Sequence, residues 1–473
     1  MKFSKKKETL KFTSSKGITL IALVITIIVL LILAGVSIGS IISDNGILSK
    51  AKKAQEKTEA GTKEETEYLE SLEGYIQEST DNGITIKEAM AKDGALSETI
   101  NTKVIDNFGN LFIVPAGFRI VKDGESNVTY SYVTDSNGNS TGIPSVQDGI
   151  VIEDVILQNQ FVWIPVGNIK NNDGSTTAMP LARYEFYDAY SPSTFAKRQD
   201  ATSLLTNNDD IVDIIHEGDS TIIFHELVNK VTSDDGVPSN EVAKNLIEFI
   251  NSAINKHGFY IARYEAGAEN FDETKSENAL AEMEDYIEDI NYDSSLIDYD
   301  YSANWTAFRT SNNSTPKVVS KPGYQAWNYI TQIKASEVSQ NMYNSTKFVT
   351  DLTNSFAWDT AVVFLTTYAN SDYALGNFGS DYEFKLSGDS TDVYCNIFDL
   401  SGNYAEWSTE NYYSIRHEHQ NEAPEETYYG SSVLRGGSYI PDYISVNYSL
   451  SRNVSQIDSC NSGITFRPLL YIK

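Results

Sequence analysis

Three patterns of hydrophobic and polar positions divide the chain. The first is an apolar run from Ile18 to Ile42 that contains no charged residue. As a helix at ~1.5 Å per residue it extends about 37 Å, enough to cross a bilayer core with some tilt. The second follows Gly46. Residues Leu48–Glu78 are largely polar, with Lys and Glu recurring at i,i+4 spacing, the pattern of a solvated helical stalk. Asp81-Asn82-Gly83 then marks a turn, and Ile84–Ala95 reads as a short helix. The third begins near Val104, where short β-rich runs alternate with Gly, Asn, Asp and Pro. Examples are LFIVP (111–115), FRIVKD (118–123), QFVWIPV (160–166) and GFYIARYEAG (258–267).

Residues 182–256 interrupt this strand pattern and read as an insertion of acidic loops with one helix. That helix, Asn240–Ile254, repeats Val242, Leu246, Ile247, Ile250 and Ile254 at helical spacing. Lys321–Glu337 and Ala357–Ala369 read as two further helices. No repeat of fixed period is visible.

Charge and composition narrow the function. The 473 residues carry a formal net charge of −29, which would repel a phosphate backbone and argues against a nucleic-acid partner. The two cysteines, Cys395 and Cys460, are too few for a disulfide framework and do not form a CxxC site. One disulfide or two free thiols both fit. The 29 tyrosines, with abundant Asn and Ser, suit an adaptable binding surface and equally an ordinary exposed β-rich surface protein.

The N-terminus has a directional charge pattern. Lys2, Lys5, Lys6, Lys7, Lys11 and Lys16 precede the apolar run against a single acid, Glu8. That predicts a cytoplasmic N-terminus and an extracellular remainder. The run is too long for a signal peptide, and Gly17 precedes it instead of following it. Lys16-Gly17-Ile18-Thr19-Leu20-Ile21 resembles the cleavage motif of type IV prepilins. The resemblance covers residues 1 to about 60. It implies that a prepilin peptidase cuts after Gly17 and methylates Ile18, and it brings other pilin subunits into view as partners. Pilins usually carry Glu at the fifth mature position, where this chain has Ala22. The resemblance therefore supports export and anchoring more than polymerisation.

Several further segments, in order, resemble the formylglycine-generating enzyme (sulfatase-modifying factor) family, whose fold is a variant of the C-type lectin-like fold. Phe161-Val162-Trp163-Ile164-Pro165 is similar to its first strand, and Gly258–Glu265 to its FYIxxYE segment. Pro322–Ile330 and Phe356-Ala357-Trp358-Asp359 fall where the family has helices. Asp399-Leu400-Ser401-Gly402-Asn403-Tyr404-Ala405-Glu406-Trp407 is close to the D-M-x-G-N-V-x-E-W signature. Val433–Tyr439 and Gly463–Pro468 match the closing RGGSW and GFRP motifs, the latter with Ile-Thr inserted. The residues also have roles of their own. Gly402 and Asn403 permit a turn with positive φ. Trp407 and Phe466 are bulky core anchors. Arg435 and Arg467 are expected to bond internal acids such as Glu406.

The expected fold is α+β: a leader (1–17), a transmembrane pilin-type helix (18–42), a helical stalk (43–80), a linker with a short helix (81–104), and a C-type lectin-like mixed domain over 105–473. Catalytic members of the family hold copper with two thiolates just after RGGS. Tyr439–Val446 contains no Cys, so that copper site cannot form. No haem-binding, nucleophile or phosphate-loop pattern is present, and His417 and His419 fit a solvated loop. No catalysis is expected. The family implies calcium beside the signature turn, with Asp399 and Glu406 and the carbonyls of Gly402 and Tyr404 as hard oxygen ligands. The alternative is that Asp399 caps a turn and Glu406 pairs with an arginine.

Related folds carry ligand-binding faces diversified by retroelements between the RGG and GFRP motifs. Here that window is Tyr439–Ser462, and Tyr439, Asp442, Tyr443, Asn447, Tyr448, Asn453 and Asp458 are its candidate contacts. The resulting expectation is a single-pass bacterial membrane protein whose extracellular head binds a protein or glycan. A minor or tip pilin subunit and a divergent enzyme are the competing expectations.

Overall fold

The structure is a computed structural model. It describes residues 83–186, 195–203, 211–217, 220–226, 242–269, 316–369, 385–416, 431–437, 452–456 and 463–473, together with Ile27. The leader with Gly17 and Ile18, the 18–42 span save Ile27, and the 43–80 stalk lie outside the described residues. No helix among the described residues is long and apolar enough to cross a membrane. The chain divides into two units, Met1–Ser79 and Thr80–Lys473, and the elements below belong to the second.

The described architecture is mixed α+β, mostly strand with few helices. Its centre is a six-stranded antiparallel sheet in the order Phe348–Leu352, Pro468–Ile472, Gly258–Ala262, Gln160–Pro165, Val151–Asp154, Phe118–Ile120. The three strands Gln160–Pro165, Gly258–Ala262 and Pro468–Ile472 are buried at every residue. Their continuous apolar sequences follow from that, because no face is left to hold polar residues. Helix Leu246–Asn255 supplies part of the cover: Phe249 meets Phe259 and Tyr471 edge-on at 5.2 and 5.8 Å. Helix Ser355–Tyr368 is buried along most of its length in the same core, with Asn354 capping its start. Gly258 is needed where it stands. A Cβ there would lie 2.3 Å from the Trp163 ring and 2.5 Å from the Ile164 carbonyl.

A second six-stranded sheet runs Ile211–Glu217, Ser220–Glu226, Ala405–Arg416, Ser431–Arg435, Asn453–Gln456, with Ile464–Phe466 pairing in parallel with Ala405–Trp407. The chain steps from this sheet to the first across Arg467, between Ile464–Phe466 and Pro468–Ile472.

Three expectations change here. The 182–256 stretch, expected as acidic loops, contributes the strands Ile211–Glu217 and Ser220–Glu226 to the second sheet. Two β-branched runs on either side of Gly218-Asp219 account for it. The helix expected at Lys321–Glu337 forms only over Gln332–Gln340, because Thr331 caps it and upstream backbone is used elsewhere, Trp327 N–H donating to the Ala266 carbonyl at 2.7 Å. The helix expected at Ile84–Ala95 shortens to Ile86–Met90. Thr85 and Glu88 form its capping box, and Ile84–Thr85 pairs with Thr102–Ile105.

Candidate functional site

The signature turn and the two closing motifs converge. Asp399, Gly402 and Asn403 take φ of 53°, 104° and 59°, and Gly436 takes 86°. The left-handed region explains the Gly and Asn there. Gly402 N–H donates to the Gly436 carbonyl at 2.7 Å, which joins the turn to the RGG bend. Trp407 is fully buried, and its indole N–H donates to the Ile330 carbonyl at 2.7 Å.

Arg467 organises the acids of this turn. Its Nε lies 3.1 Å from both Glu406 oxygens, and Nη2 lies 2.6 Å from Oε1. Its remaining hydrogens go to the carbonyls of Ala262, Phe398 and Asp399. Arg467 therefore ties the signature turn to the central sheet. Around it sit three more buried acids. Glu265 accepts from Tyr404 N–H at 3.0 Å and Asn403 Nδ2 at 2.5 Å, and Asp392 accepts from Ser401 N–H at 3.3 Å. Asp399 is buried, and its Oδ1 has no hydrogen-bond partner. Burial pushes these carboxyls up: Asp392 and Glu406 to about 7, the latter against the pull of Arg467, Asp399 to about 6, and Glu265 well above its ordinary value.

This geometry bears on calcium. Asp399, Gly402, Tyr404 and Glu406 do come together, but Glu406 faces a guanidinium, which already supplies a cation. Among the described residues no group of three or more His, Cys, Asp or Glu is placed to hold a metal ion. The residues as placed do not fit calcium unless Arg467 withdraws. Cys395 is a free thiol, so the two-free-thiol reading holds for it; Cys460 lies outside the described residues.

A second buried charge network lies under the RGG motif; an internal acid was expected for Arg435, but not these partners. Asp359, on helix Ser355–Tyr368, accepts Arg435 Nη2 on Oδ1 and Arg452 Nη2 on Oδ2, each at 2.5 Å. Glu410 accepts Arg452 Nε at 3.1 Å and also bonds Arg183. Arg183, Asp359, Glu410 and Arg435 are all fully buried. The arginines hold Asp359 and Glu410 below the ordinary carboxylate range although burial opposes it. Glu226, from the 182–256 stretch, joins by accepting Ser355 N–H and Thr409 Oγ1, both at 2.8 Å. These partners lie far apart in sequence and follow no local spacing, which is why they were missed.

Asp359 thereby clips together the strand that precedes the Tyr- and Asn-rich window and the strand that lies within it. Arg435 ends strand Ser431–Arg435, Arg452 precedes strand Asn453–Gln456, and Leu434 pairs with Asn453. Of the candidate contacts, Asn453 is described and half-buried in this strand. Tyr439, Asp442, Tyr443, Asn447, Tyr448 and Asp458 lie outside the described residues.

No protein-family model matches the chain. No curated protein matches it either. Among solved structures it is similar to Treponema denticola variable protein 1, at 12% identity and a TM-score of 0.22, covering 66% of this chain and 95% of that one. A TM-score that low bears on neither fold nor function.

Proposed function

We propose that this chain is a membrane-anchored surface protein whose head, a C-type lectin-like domain without catalytic thiols, binds an extracellular protein or glycan through the 439–462 window. The carrying observation is the clip made by one buried carboxylate, Asp359, on Arg435 and Arg452. A segment whose two ends are rooted in a buried charge network can vary in sequence without disturbing the strands that carry those ends, and binding segments on rigid scaffolds have that construction. Tyr and Asn in the window supply contact area and hydrogen bonds at modest entropy cost. Absence of Cys from 438–451 argues against the copper chemistry of the resembled family. The basic leader, Gly17 and the apolar run support prepilin-type processing, and Ala22 favours anchoring over assembly into a shaft.

Replacing residues 439–451 with a Gly/Ser linker of equal length tests the proposal. The expected result is loss of binding to extracellular-matrix proteins and glycans by cells displaying the full chain, with the melting temperature of the head kept within a few degrees. Unchanged binding would overturn it. Oxidation of a cysteine peptide by the chain with added copper would restore the enzyme reading.

A further inference from the structure

Two adjoining hollows of about 290 and 500 Å³ share Tyr132 and Tyr368 and form one cleft, and none of its described lining residues belongs to the 439–462 window. Those volumes are typical of small-molecule sites. The two rings pack edge-to-face at 6.1 Å, and each is backed from behind, Tyr132 by Phe108 and Tyr368 by Phe364. Both tyrosines stay half-exposed to the cleft. Among the described residues, the exposed side chains of Asn127, Thr129, Ser131 and Asn172 on its rim make no hydrogen bond within the protein. No Lys, Arg or His is among the described residues that line it.

The fold holds this cleft in shape with buried polar groups. Arg263, fully buried, donates to the carbonyls of Ser126, Asn127 and Asn396 at 2.9, 3.2 and 3.0 Å, so one guanidinium joins the two loops that form one end. Arg263 is fixed in turn by Gln160 Oε1 at 2.6 Å and by the rings of Tyr264 and Phe398. Ser126, Asn127, Cys395 and Asn396 all take positive φ there. Asp148 sets the next stretch of wall by accepting the backbone N–H groups of Ser131 and Tyr132 at 2.8 and 2.7 Å and of Ser145 at 2.9 Å. Its carboxylate is thus occupied, and the exposed Asp173, the other acid among the described lining residues, accepts from Ser175 N–H at 2.9 Å.

We infer that this cleft binds a neutral carbohydrate, a short oligosaccharide that stacks a sugar face on Tyr132 or Tyr368 and hydrogen-bonds the Asn, Thr and Ser rim. A sugar ring has an apolar C–H face and a fringe of hydroxyls that both donate and accept. The cleft offers the complement: tyrosine faces, and amides and hydroxyls that do the same. An anionic ligand would meet carboxylates and no cation. A peptide would find few apolar side chains among the described lining residues. The inference is independent of the 439–462 window and its failure would leave that reading untouched.

The test uses the full chain in a detergent without a sugar headgroup. It is screened on an array of neutral, sialylated and sulfated oligosaccharides, and the strongest neutral hit is titrated calorimetrically. Saturable binding to neutral members is expected. Tyr132→Ala should weaken it at least tenfold, and Asn172→Trp, which fills the cleft from an exposed rim position, should do the same without altering the circular dichroism spectrum. Tyr443→Ala/Tyr448→Ala should leave it unchanged. Binding confined to acidic glycans, no binding to neutral ones, or neutral binding that survives both cleft variants would each overturn the inference.

Discussion

At Arg467 the balance between desolvation and pairing is visible in one side chain. Burying a guanidinium and a carboxylate costs several kcal/mol each, and the cost is offset only by close pairing with every remaining hydrogen bonded. Arg467 meets that condition through Glu406 and three carbonyls. Arg467→Met should therefore destabilise the head by about 3–5 kcal/mol in denaturant unfolding, because Glu406 is left buried and unpaired. Adding Glu406→Gln should recover part of that loss, since the stranded charge is gone. The same guanidinium occupies the place where calcium was expected, so millimolar calcium should leave the melting temperature unchanged; a rise would bring the calcium reading back.

The buried carboxyls also set a pH dependence. Burial pushes Asp351, Asp392 and Glu406 to about 7 and Asp399 to about 6 in the folded state. A carboxyl with a raised folded value binds its proton more tightly when folded. Its contribution is complete below its unfolded value and is lost as pH rises through the folded one. Asp359 and Glu410 are shifted the other way, so their contribution is lost only as pH falls below the ordinary carboxylate range. Thermal melting should therefore show greatest stability near pH 5 and a decline toward pH 8. A curve that rises steadily from pH 5 to 8 would contradict this account of the acids.

At the scale of elements, the sequence was readable where burial is local and uniform. Phe161–Pro165 and Gly258–Ala262 are apolar throughout because both faces of the central sheet are covered, and helix Ser355–Tyr368 was found nearly to its ends. Gly402-Asn403 announced its turn by residue type. Where distant contacts decide, local pattern fails. Backbone bonding of Trp327 to Ala266 stops a helix that propensity would begin earlier, and strand Ser220–Glu226, the hairpin partner of Ile211–Glu217, pairs with a strand some 190 residues on, from Ser220↔Arg416. The Asp359–Arg435–Arg452 clip has no sequence signature for the same reason. Gly258 gives an element-scale prediction. Gly258→Ala places a methyl against Trp163 and the Ile164 carbonyl, and overpacking of that kind should cost about 1–3 kcal/mol, measured by chemical denaturation.

For the molecule as a whole, the two sheets and the two buried charge networks form the fixed part of the head. The two regions proposed for binding are both rich in Tyr, Asn and Ser. The 439–462 window is the main one, and the Tyr132–Tyr368 cleft shares none of its described lining residues with it. The central claim concerns the window. Its most direct measurement is adhesion of cells displaying the full chain, compared with the same cells carrying Tyr443→Ala/Tyr448→Ala at equal surface density. Binding to the surface that the parent chain recognises should fall at least tenfold, with the melting temperature of the head unchanged; adhesion equal to that of the parent would contradict it.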